Sequence, residues 1–180
     1  MGNNSFANCV FVTFCRPFYI NNDATTKWTF YANTPLSQSV RGTLYPALRK
    51  AIQDKSEQEA ANMLINFVQT AFEYDYDDKI WGGDRPFFAD ETVYYPFSDC
   101  EDRAILFSHL VRDLMNLKVV LLYYPGHLAT AVQFKETIPG DYLPVNKKRY
   151  LVCDPTYIGA NIGRTMPGMD NGKATVILLD

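Results

Sequence analysis

Histidine is nearly absent from this chain. Only His109 and His127 occur, so any chemistry that needs an imidazole must draw on one of these two. Cysteine is scarce as well. Cys9, Cys15, Cys100 and Cys153 form no C-x-x-C pair and no zinc-finger spacing, which excludes a dithiol redox motif and a structural zinc site of the usual kind. Cys9 and Cys15 are six residues apart on one expected strand, roughly 20 Å at strand rise, too far to bridge each other. Free buried thiols are the expectation for that pair, and the redox compartment stays open. No run of about 18 apolar residues is present, so no membrane-spanning helix is expected. The N-terminus has no charged segment leading into an apolar one, so no secretion signal is expected, and an exported location would require a leader already removed. Lys and Arg (17) are outnumbered by Asp and Glu (20), and no basic run occurs, which argues against nucleic acid as a partner. The chain has no internal repeat or low-complexity tract. It stops just after an apolar run, residues 176–179, as an excised part of a longer protein would.

Aromatic residues, by contrast, are plentiful: 12 Tyr, 12 Phe and 2 Trp. With no cationic cluster beside them, they read as core and cleft walls rather than base-stacking platforms. The 180 residues suffice for one domain with a substantial core.

Residues 6–19 alternate as a strand, 21–23 form a turn, and 27–32 read as a return strand, giving an N-terminal hairpin within residues 1–34. Residues 36–54 have helical period, with Pro46 in the middle predicting a kink or break. Ser56 and Glu59 form a capping box that opens a second helix. Residues 73–97 make a long aromatic stretch, expected to be ordered and packed beside Cys100. Strands are expected over 118–124, 127–134, 149–153 and 174–179, with loops at 139–146 and 154–172. Helices first, then consecutive short strands, predict an α+β fold with an antiparallel sheet.

The central element is residues 96–116, a loop turning into a helix. With Ser98 as N-cap and Glu101 closing a capping box, Cys100 falls at the second helical position. Free N–H groups and the helix dipole there favour an anion, and the thiolate is the nucleophilic form of cysteine. Ala104, Phe107, Val111 and Leu114 continue an apolar seam from Cys100. A nucleophilic cysteine needs a base, and that base needs an orienting acceptor. His109 lies nine residues beyond Cys100, about 900° of helical rotation, hence on the opposite face. His127 follows a Pro-Gly turn and opens the strand expected to pack near the helix. Asp154 ends the next strand before Pro155, and alternation turns Cys153 the other way, into the core.

The runs SDCEDRAILFSHLVRDL, YYPGHLATAV and YLVCDPTY resemble the transglutaminase-like branch of the papain-type cysteine enzymes, of bacterial type, over roughly residues 60–156. The resemblance implies a papain/transglutaminase-like fold, with the nucleophile at the N-terminus of a central helix packed on an antiparallel sheet, and residues 35–180 as the catalytic core. It implies Cys100 as nucleophile, His127 as general base and then acid, and Asp154 as the residue orienting His127. The reaction would be acyl transfer on a peptide or protein amide, with hydrolysis by a cysteine peptidase or amidase as the default. Amine transfer, or a non-catalytic protein- or glycan-binding module keeping the fold, are the alternatives. No cofactor or metal is called for; a zinc site from Cys100, His127 and Asp154 would lack a fourth ligand. The resemblance also offers Trp81 as a candidate for a second oxyanion donor, with packing the plainer reading. Asp99, Glu101 and Asp102 read as cap and dipole residues rather than as a cationic-substrate site. The Asp75, Asp77 and Asp78 run reads as a solvated loop, because it lacks EF-hand spacing.

Overall fold

The computed structural model describes residues 27–180. The expected strand over residues 6–19, with Cys9 and Cys15, lies outside the described residues. The expected return strand over 27–32 is instead a short helix, α1 (Trp28–Ala32). Aromatic residues favour strands in isolation, but packing decides here. Tyr31 and Ala32 are buried, the Phe30 and Tyr31 rings meet Phe88, and Arg112 Nη1 donates to the Ala32 carbonyl.

Helix α2 (Gln38–Ile52) begins at Ser37, whose hydroxyl accepts from the Val40 N–H, and runs through Pro46 without the expected break. The carbonyl that Pro46 leaves unpaired belongs to Gly42, on the exposed side of the helix, where water can satisfy it. Helix α3 (Glu57–Ala71) opens with the expected Ser56–Glu59 box: the Glu59 N–H donates to Ser56 Oγ, and Glu59 Oε2 accepts from the Ser56 N–H. The aromatic stretch is ordered as strand β1 (Glu73–Tyr74), helices α4 (Asp77–Trp81) and α5 (Ala89–Tyr94), and strand β2 (Phe97–Ser98). Strands β1 and β2 pair in parallel.

Helix α6 (Cys100–Met115) is followed by β3 (Lys118–Tyr124), β4 (His127–Gln133), β5 (Tyr142–Val145), β6 (Lys148–Cys153) and β7 (Thr175–Leu178). These five strands form an antiparallel sheet in the order β5-β6-β4-β3-β7. The fold is therefore α+β, as the element order predicts. Strand β5 sits where a plain loop was expected, because the Asn146–Lys147 turn, both residues at positive φ, folds it back on β6.

Two apolar layers cover the sheet. On the helical side, Leu121, Leu128, Val132, Leu151 and Cys153 pack with α3 and α6 residues such as Leu64, Val68, Phe107 and Val111. On the other side, Val120, Leu122, Ala129, Ala131 and Val152 are covered partly by Met169 and Ala174 of the C-terminal coil. Helix α6 is buried from Cys100 to Val111 on every face, rather than along one seam, because α1, α3 and α5 pack around it in addition to strands β3 and β4.

Candidate active site

Cys100 is the first residue of α6, one position earlier than the capping pattern suggests, because the N-cap is Asp99. Ser98 is taken up by β2, paired with Tyr74, and its hydroxyl receives Arg103 Nε at 3.1 Å. The reciprocal cap contact comes from Asp102, whose Oδ2 accepts from the Asp99 N–H, while its Oδ1 accepts from the Phe87 N–H at 2.7 Å. Arg103 is fully buried, and it also donates to the carbonyls of Gln69 and Phe72. One side chain thus ties the loop before the cysteine to the end of α3. Bonds of this charged kind contribute on the order of 1.5–3 kcal/mol each.

The thiol lies among carboxyls. Cys100 Sγ donates to Glu101 Oε2 at 3.1 Å, and the backbone N–H of Leu128 donates to the sulfur. Burial first, then the charges of Glu101 and Asp99, push the thiol well above its ordinary pKa, and the Leu128 N–H offsets only part of this. The helix terminus alone would favour the thiolate; here desolvation and two flanking acids outweigh it. The acids respond in turn. Burial and mutual repulsion raise Asp99 to about 10, Glu101 to about 7 and Asp77 to about 6, and shift Asp84 and Asp102 upward. Asp99 keeps its proton and shares it with Glu101.

Asp77, Asp99 and Glu101 each place a carboxylate oxygen within 4.8 Å of the others, and Asp99 Oδ1 is buried without a partner. An all-oxygen, multiply acidic set of this kind fits a hard divalent cation such as calcium, magnesium or manganese. The sequence did not point to it. Asp77 leaves the solvated Asp75–Asp78 run at the start of α4 and turns inward, where its Oδ2 accepts from the Arg85 N–H, whereas Asp75 stays outside with Lys79. Of the three acids read as cap residues, Asp102 serves the N-cap by its side chain, and Glu101 accepts from its own backbone N–H in the first turn.

His127 opens β4, where the Gly126 turn (φ 76°) reverses the chain after β3. Its Nε2 lies 2.8 Å from Asp154 Oδ2, and both side chains are buried. Asp154 Oδ1 accepts from the Thr156 N–H at 2.9 Å. The Tyr124 ring stacks on the imidazole, with centroids 6.1 Å apart, and its hydroxyl donates to Asn171 Oδ1. With Nε2 committed to Asp154, Nδ1 is the imidazole atom left for proton transfer. Leu128, which contacts the sulfur through its backbone, is the next residue on the same strand, so Cys100 sits against the strand that His127 begins.

The other candidates separate cleanly. His109 is buried on α6 and pulled down to about 4, mainly by burial, which keeps it neutral. Cys153 is wholly buried in the helix-side core, and burial pushes its thiol up. Trp81 packs against Phe87, Tyr95 and Phe97, with the Arg85 guanidinium 4.5 Å from its ring, and its Nε1–H is buried without a partner.

No protein-family model and no curated protein matches the chain. Among solved structures it is similar to Legionella pneumophila LapG: 16% identity, over 84% of this chain and 86% of that one, at a TM-score of 0.51. What the two share is the fold. It is papain/transglutaminase-like, with a helix packed on an antiparallel sheet. No helix among the described residues is long and apolar enough to cross a membrane.

Proposed function

We propose that this protein is a cysteine-dependent acyl-transfer enzyme acting on peptide or protein amides, with Cys100 as nucleophile, His127 as base and then acid, and Asp154 as the residue that orients His127. The observation that carries the reading is the buried His127 Nε2–Asp154 Oδ2 contact of 2.8 Å, on the strand whose next residue meets the Cys100 sulfur.

His127 takes the Cys100 thiol proton on Nδ1, and the sulfur attacks the amide carbonyl. The backbone N–H of Cys100 is in the first helical turn, free of an intrahelical partner, and meets the developing oxyanion. His127 then protonates the departing amine, leaving a thioester. Water, deprotonated by His127, resolves it to the acid; an amine in its place would give transfer. Asp154 holds the imidazole with Nδ1 as acceptor and stabilises the imidazolium that forms. The raised thiol favours a resting state in which Cys100 keeps its proton until the surrounding carboxyls are neutralised.

The test is the pH dependence of Cys100 alkylation by iodoacetamide, read by mass spectrometry with Cys153 as internal control. Labelling selective for Cys100 and lost in His127→Ala supports the reading and justifies a screen of peptide and amine substrates. Labelling of Cys100 no faster than Cys153 under all conditions favours a binding module that keeps the fold.

A further inference from the structure

Gln69 is the single polar side chain on the buried face of α3, otherwise Ala60, Ala61, Leu64, Ile65 and Val68. Its amide is fully occupied by one loop. Nε2 donates to the carbonyls of Tyr157 at 2.8 Å, Ala160 at 3.0 Å and Asp154 at 3.4 Å, and Oε1 accepts from the Gly159 N–H at 3.2 Å. This loop leaves β6 after Cys153, where ladder pairing stops, and apart from two turn bonds of its own (the Tyr157 N–H to the Asp154 carbonyl, the Ala160 N–H to the Tyr157 carbonyl) its backbone groups need partners from elsewhere. It carries Asp154 at its start. The backbone carbonyl of Gln69 in turn accepts from Arg103, which also fixes Ser98, two residues before Cys100.

We infer that Gln69 is a positioning residue: its amide sets the 154–160 loop so that the Asp154 carboxylate meets His127, and couples that pair through α3 and Arg103 to the cysteine loop. This rests on the Cys100–His127–Asp154 reading for its catalytic meaning, while the clamp itself rests on the hydrogen bonds. A polar residue in an apolar helix face is costly unless satisfied, and here each hydrogen bond of its side chain is to the 154–160 segment.

Gln69→Met conserves the side chain's length and removes its hydrogen bonds. The readout is the low-field NMR resonance of the His127 ring Nε2–H, assigned with His109→Gln and compared with Asp154→Asn. In Gln69→Met protein with native circular dichroism, the resonance is expected to shift or vanish as it does in Asp154→Asn, and Cys100 alkylation near neutral pH is expected to fall toward the rate of that variant. A resonance unmoved from wild type in folded Gln69→Met overturns the proposal. Should that variant not fold, Gln69→Glu, which keeps the shape and the acceptor for Gly159 but loses the donors, is read by the same comparison. Wild-type alkylation keeps the two ideas separate: unselective labelling of Cys100, with a resonance that still responds at Gln69, rejects the catalytic reading and retains the clamp.

Discussion

At Cys100, two opposing fields meet. The first turn of α6 offers unpaired N–H groups that favour a thiolate, while burial and the neighbouring Glu101 and Asp99 favour the thiol and prevail. Neutralising the acids is the direct way to reverse that balance. A divalent cation held by Asp77, Asp99 and Glu101 would supply positive charge beside the sulfur and displace the shared protons. Calcium, magnesium or manganese added to chelator-treated protein is therefore expected to lower the pH midpoint of Cys100 alkylation, and Asp77→Asn is expected to weaken that response. An identical midpoint with and without each cation would show that the carboxyls hold protons alone.

Among the elements, the loop entering β5 and the coil after Asp154 are joined backbone to backbone. Gly140 (φ 140°) lies so close to Gly163 that a Cβ would come within 2.6 Å of its Cα and carbonyl oxygen, and the Asp141 N–H donates to the Gly163 carbonyl at 2.9 Å. Both chain segments are fixed, so neither yields cheaply. Gly140→Ala is expected to destabilise the protein by about 2 kcal/mol or more, seen as a melting temperature lower by several degrees. Gly42 is the contrasting case: it sits in α2 with open space where a Cβ would go, and Gly42→Ala is expected to be neutral or stabilising by up to about 1 kcal/mol. Equal effects of the two substitutions in thermal melts would contradict this account of the Gly140–Gly163 contact.

At the scale of the molecule, the raised carboxyls among the described residues gather beside Cys100. Asp77, Glu101 and Asp99, raised to about 6, about 7 and about 10, hold protons in the folded state that the unfolded chain releases above about pH 4. Their contribution is complete below the ordinary carboxylate range and is lost as pH rises through the raised values. His109, depressed to about 4, acts oppositely: its contribution is complete above about pH 6.5 and is lost as pH falls through about 4. With Asp84 and Asp102, which are raised too, five carboxyls oppose one depressed imidazole, so cation-free protein is expected to lose thermal stability as pH rises from about 5 to about 8. Calorimetry across that range checks it, and a melting temperature that climbs with pH would refute it. A cation that binds the folded state should flatten the slope by mass action.

Much of this was legible in the chain itself. The 3.6-residue period and the Ser56–Glu59 box placed α3, and the short apolar runs placed β3, β4 and β6, because those patterns are local and both strand faces are apolar. The scarcity of histidine narrowed the candidates for a base to two, and rotation along α6 set His109 apart from Cys100. Tertiary structure decided the remainder. It turned residues 28–32 into a helix through contacts with Phe88 and Arg112, and it moved the cap from Ser98 to Asp99 because Arg103 and β1 claim Ser98. It brought Asp77 from a surface-like run to the side of Asp99 and Glu101, and carried Gln69 to the loop behind Asp154. Local sequence determines what a segment prefers by itself. Whether Cys100 rests as thiol or thiolate depends on how deeply the sulfur is buried together with its neighbours Asp99 and Glu101, and that burial is settled only when the chain has closed on itself.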